Sequence, residues 1–76
     1  MTDVVVPVDL WEDDKPAVIT SWLARDGAEV RAGDLIAEIM VEKVQFEISA
    51  SAAGRLTVLR GADDVVAKGD TIARIG

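Results

Sequence analysis

Seventy-six residues suffice for one small domain, and a chain this short buries only about 60% of the surface its unfolded form exposes, so its core must be compact. It has no cysteine and no histidine, which excludes a disulfide framework, a thiolate metal centre and the commonest general base. A net charge of −6 opposes binding to nucleic acid and to anionic membrane surfaces, and no stretch approaches the roughly 18 apolar residues of a membrane span. The opening Met1-Thr2-Asp3 lacks the basic and apolar regions of a targeting peptide, so the expected compartment is the cytoplasm, or the mitochondrial matrix in a eukaryote.

In chain order, short runs rich in β-branched residues occur at Val4 to Val6, Ala17 to Leu23, Leu35 to Val41, Val44 to Ala50, Arg55 to Leu59 and Thr71 to Ile75. Briefer pairings are expected at Glu29-Val30 and Val65-Val66. Turn residues punctuate the runs at Pro7 to Pro16, Arg25 to Gly27, Ala32 to Asp34, Ala52 to Gly54, Gly61 to Asp64 and Lys68 to Asp70. Regular short strands of this kind predict an all-β sandwich or barrel, occupying residues 1–76 as a single domain.

The chain also repeats. The ten residues from Val30 to Ile39 align, 36 residues on, with Val66 to Ile75, and six of the ten positions are identical. Two copies are too few for a solenoid. Two similar halves, each with an uncovered apolar face, are expected to pack about a pseudo-twofold axis. In both copies a V-x-x-G-D corner ends in a glycine able to take positive φ (Gly33, Gly69) and an aspartate able to accept nearby backbone N–H groups (Asp34, Asp70).

One hairpin carries a candidate site. Leu35, Ala37, Ile39 and Val41 alternate with Ile36, Glu38, Met40 and Glu42, while Val44, Phe46, Ile48 and Ala50 alternate with Gln45, Glu47, Ser49 and Ser51. A two-residue turn at Glu42-Lys43 pairs Val41 with Val44, Ile39 with Phe46, Ala37 with Ile48 and Leu35 with Ala50, apolar against apolar throughout. A slip of one residue would turn one apolar set outward, so burial fixes this register although the turn is not Asn-Gly. Lys43 is thereby placed at the outermost point. The same register sets Glu38 opposite Glu47, a like-charge pairing that costs stability. With Glu42, these carboxylates are expected to surround Lys43 with negative charge that a partner with a basic groove can read. The plainer alternative is a lysine that keeps a turn soluble.

The segment Glu38-Ile39-Met40-Val41-Glu42-Lys43-Val44 resembles the lipoyl attachment signature, glutamate-any-glutamate-any-aspartate-lysine-alanine. From about Val4 to Ile75 the chain is similar to the biotin/lipoyl attachment domains, and more specifically to their lipoyl branch. Glu47 matches the usual glutamate four residues after the lysine, and Ala52-Ala53-Gly54-Arg55-Leu56 resembles the small-Gly corner that follows. Two positions depart from the pattern. Met40 replaces the second glutamate, and Trp11 stands where glycine is frequent, in a loop from Asp9 to Pro16 that neighbours the attachment tip in such domains. The methionines that flank a biotinyl lysine are replaced here by Glu42 and Val44, which favours lipoate over biotin.

The resemblance implies a flattened barrel of two four-stranded antiparallel sheets, with Lys43 at one end and the termini at the other. It implies a non-catalytic carrier: lipoate amide-linked to Lys43 by a lipoate ligase or lipoyl transferase, with Glu42, Glu47, Glu38, Val44 and Trp11 as recognition residues. The implied partners are the thiamine-dependent dehydrogenase, acyltransferase and flavin-dependent dihydrolipoyl dehydrogenase of a 2-oxo acid dehydrogenase complex. A biotin carboxyl carrier and an unmodified interaction domain are the alternatives. An enzyme needs a nucleophile or base in a pocket, for which the sequence offers no candidate. Trp22 and Phe46 fall within strand patterns and are expected in the core, Trp11 suits either partner contact or loop packing, and Asp13-Asp14 and Asp63-Asp64 lack the ligand spacing of a cation loop.

Overall fold

A computed structural model describes residues Met1–Gly76. Its regular elements are β1 (Thr2–Val5), β2 (Ala17–Trp22), β3 (Glu29–Val30), β4 (Leu35–Val41), β5 (Val44–Ser49), β6 (Gly54–Val58), β7 (Val65–Val66) and β8 (Thr71–Ile75). They form two four-stranded antiparallel sheets, in the orders β1-β8-β6-β3 and β5-β4-β2-β7. This is the all-β architecture expected from the short runs. Sixteen buried residues, all apolar, fill the space between the sheets, and Ile19, Ile36, Ile39, Leu56 and Ile72 are completely enclosed. Strand alternation explains most of this set, because Ala17 and Ile19 point inward while Val18 and Thr20 point out.

The sequence repeat is a repeat of hydrogen bonds. Asp34 Oδ2 accepts from Arg31 N at 2.9 Å, and Asp70 Oδ2 accepts from Ala67 N at 2.8 Å. Gly33 (φ +92°) and Gly69 (φ +84°) both adopt the left-handed conformation that an L side chain resists. The Ile36 carbonyl accepts from Leu23 and Ala24, and the Ile72 carbonyl, 36 residues on, accepts from Leu59 and Arg60. Each half therefore closes in the same way, and the halves bury their apolar faces on each other.

The bulges correct part of the expected register. Val41, Ile39 and Ala37 pair with Val44, Phe46 and Ile48 as the alternation requires, but Leu35 pairs with Ser49 instead of Ala50 because the register shifts between Leu35 and Ala37. An extra residue on one strand lets two successive side chains face the core. Ile36, assigned to the outer face by strict alternation, is fully buried beside Ala37, and Leu35 is left 46% exposed. The second half does the same: pairing jumps from Ala73 to Thr71, and Ile72 is buried beside Ala73.

The two halves differ at their ends. β4 runs into β5 through the Glu42-Lys43 turn, whereas the equivalent pair, β8 with β1, is closed by no turn and ends in the chain termini, Thr2 opposite Ile75. The strand entering each half also differs in its approach. Residues 6–16 form a long loop before β2, while only residues 50–53 precede β6.

Candidate functional site

The hairpin turn places Lys43 on the surface as its register demands. Glu42 has a φ of 54°, in the left-handed region, and Lys43 does not. A positive φ at the first position of a two-residue turn is one for which glycine is the favoured residue. A glutamate there pays about 1 kcal/mol or more in backbone strain. Lys43 is exposed and takes part in none of the ion pairs or side-chain hydrogen bonds of the chain. Its amine is free to meet an incoming group.

The long loop before β2 packs against this hairpin. Trp11 is half-buried with its ring tilted against Phe46, centroids 5.7 Å apart, and the Lys68 ammonium lies 5.2 Å from the Trp11 centroid. Such contacts combine area burial with ring and cation–π attraction. Trp11 Nε1 donates to the Lys15 carbonyl at 3.0 Å, and Lys15 N donates to Asp13 Oδ1 at 3.0 Å. Lys15 Nζ then donates to Glu42 Oε1 at 2.6 Å. The hydrogen bond to Glu42, followed by the charges of Glu42 and Asp13, raises the Lys15 pKa above its ordinary 10.5. Lys15 had no role in the sequence reading; its one signal is that it is the single cation in the acidic run Glu12-Asp13-Asp14-Lys15.

Glu38, Glu42 and Glu47, the carboxylates expected to surround Lys43 with negative charge, are engaged in three different ways. Glu38 and Glu47 do stand opposite one another. Glu38 is half-buried, however, and accepts from Ser21 Oγ at 3.0 Å and from Gln45 Nε2 at 2.7 Å, so these donors offset the like-charge pairing. Glu42 is engaged by Lys15. Glu47 stays exposed and lines a shallow groove of about 290 Å³ between the free edges of β1 and β5. That groove is built of four related pairs, Asp3 with Glu47, Val4 with Ile48, Val5 with Ser49 and Pro7 with Ser51, each 44 residues apart, so it lies where the two halves meet rather than at the tip. Val44, placed on the apolar face by alternation, is 55% exposed because it borders the turn, beyond the end of the core. Phe46 and Trp22 are half-buried against the core as expected, and Trp22 Nε1 donates to the Arg60 carbonyl at 2.8 Å.

The model of the biotin/lipoyl family, described as "Biotin-requiring enzyme", matches residues 9–75. The chain belongs to this family. Among curated proteins, this biotin/lipoyl domain is 38% identical over 76 residues to the dihydrolipoyllysine-residue acetyltransferase component of the pyruvate dehydrogenase complex of Corynebacterium glutamicum. The match takes in 99% of this chain and 11% of that relative, so the chain spans about a tenth of the relative's length. Among solved structures, the lipoyl domain of the 2-oxoglutarate dehydrogenase complex of Azotobacter vinelandii superposes with a TM-score of 0.73. The superposition covers 96% of this chain and 95% of that domain at 20% identity, which establishes a shared fold.

Proposed function

We propose that this biotin/lipoyl domain is a lipoyl carrier, with lipoate joined through an amide to Lys43. The observation that carries the proposal is the state of the tip: Lys43 is exposed and unpaired on a two-residue turn, while Lys15, which reaches the adjoining Glu42, is held in an ion pair. The residues fit the group, because an acyl chain on Lys43 Nζ meets no side chain that claims the same atom. In the attachment step, the neutral Lys43 amine attacks the lipoyl carbonyl activated by its ligase; a C–N bond forms, the activating group leaves, and the nitrogen gives up a proton. Bound lipoate supplies a dithiolane that accepts an acyl group and two electrons together.

The chain's own contribution is display. Amide formation removes one positive charge, taking the net charge from −6 to −7, and leaves the tip next to Glu42 and the Lys15–Asp13 segment of the loop that Glu42 contacts. Partners that read this surface are expected to carry basic grooves, with Glu42, Glu47, Glu38, Val44 and the Trp11 loop as the contact set. In this reading the catalysis belongs to a thiamine-dependent dehydrogenase, an acyltransferase and a flavin-dependent dihydrolipoyl dehydrogenase, and the domain raises their effective concentration of the arm. The relative in the pyruvate dehydrogenase complex supports this assignment.

The family description supports a second reading, biotin on the same lysine. Glu42 and Val44 flank Lys43 in place of methionines, which favours lipoate. Intact-mass measurement after incubation with lipoate and a lipoate ligase, beside biotin and a biotin ligase, separates the two. The expected result is one lipoyl addition, abolished by Lys43→Arg without loss of thermal stability. Biotin addition alone, or no addition to the folded chain, overturns the proposal.

A further inference from the structure

Glu42 holds a left-handed φ without being glycine, asparagine or aspartate, so an interaction outside the turn has to favour that conformer over its competitors. The Lys15 ammonium, 27 residues away in sequence, lies 2.6 Å from Glu42 Oε1. The Lys15 backbone is held from two sides: its carbonyl accepts from Trp11 Nε1 and its N–H donates to Asp13 Oδ1. The Trp11 ring in turn rests on Phe46, three residues beyond Lys43 on β5. The loop is therefore fastened to the strand at Phe46 and to the turn at Glu42.

Resting on attachment at Lys43, we propose that Lys15 is a positioning residue for the modification: its ion pair with Glu42 holds the turn in the conformer that presents the Lys43 amine. Both partners are about half exposed, at 49% and 63%, so solvent screens the pair and its influence is local. It selects which turn conformer is populated rather than whether the barrel folds.

The apparent affinity of a partner for a protein falls with the fraction of molecules in the competent conformer. The test compares the native chain with Lys15→Met, Lys15→Arg, Glu42→Gly and the double variant Lys15→Met/Glu42→Gly. Ligase kinetics with the domain as varied substrate give KM and kcat, and the backbone three-bond coupling of Glu42 reports φ directly. Lys15→Met is expected to raise KM about three- to tenfold with kcat within about twofold, and to shift the Glu42 coupling, while Lys15→Arg restores both. Glycine adopts positive φ unaided, so in the Glu42→Gly background Lys15→Met should leave KM unchanged. An unchanged Glu42 coupling in Lys15→Met, or an equal rise in KM in the glycine background, overturns the inference. A folded native chain that takes no lipoate overturns attachment at Lys43 instead, and the coupling still decides the role of Lys15.

Discussion

The half of the molecule built from β2 to β5 and the half built from β6, β7, β8 and β1 use one plan twice. Both turn a Gly-Asp corner, both place a bulged isoleucine beside an alanine in the core, and both receive the same pair of backbone N–H groups on that isoleucine's carbonyl. They part company at one end: the first half closes with Glu42-Lys43 and is flanked by an 11-residue loop, residues 6–16, whereas the second is open and flanked by the four residues 50–53. What the halves share buries apolar surface. What they do not share is the displayed lysine and the loop fastened to it, so the site lies where the symmetry is broken.

If the shared plan is also an energetic one, equivalent substitutions should cost equally. Ile36→Ala and Ile72→Ala each empty a fully enclosed position and should cost about 2–5 kcal/mol, a large part of the roughly 5–15 kcal/mol that holds a small domain together. Denaturant unfolding of the two variants side by side gives the comparison directly. Costs differing several-fold would show that one half carries the stability. A smaller effect is expected at the corners: Gly33→Ala and Gly69→Ala should each lose about 1–2 kcal/mol. An added methyl meets nothing within 4 Å at Gly33 and only Val8 Cγ1 at 3.8 Å at Gly69, so the cost is conformational rather than steric.

The smallest effect tests the feature without a counterpart. Because Lys15 has a raised pKa in the folded chain, the tether to Glu42 is fully present below the ordinary lysine value of 10.5 and is lost as pH climbs through the raised one. The Glu42 coupling should therefore hold steady from neutral pH to about 10 and change only above it, with no such transition in Lys15→Met. A transition near neutrality would assign control of the turn to some group other than Lys15, whose facing charges are Glu42 and Asp13.

Much of this was legible in the residues. Alternation gave the strands, the V-x-x-G-D repeat gave the pseudo-twofold, and apolar pairing placed the turn at Glu42-Lys43. The bulge at Ile36 was not legible, because an inserted residue breaks the period of two that reveals a strand, and Leu35 and Ile36 then exchange faces without any change of composition. The Ile-Ala pair retained at both 36-37 and 72-73 is the one trace it leaves. The links from Lys15 to Glu42 and from Trp11 to Phe46 were hidden for a different reason. They join an irregular loop to a hairpin, at its turn and at its second strand, across about thirty residues, and no periodicity connects such partners.

Thr2 lies opposite Ile75 in an antiparallel ladder, so the first and last strands of the domain leave its body side by side. Tension applied through them loads the β1–β8 hydrogen bonds one after another, as a zipper is opened, instead of shearing the whole row at once. A pull from either flank would then peel β1 away first, while the β4–β5 ladder that bears Lys43 lies in the other sheet and off the line of force.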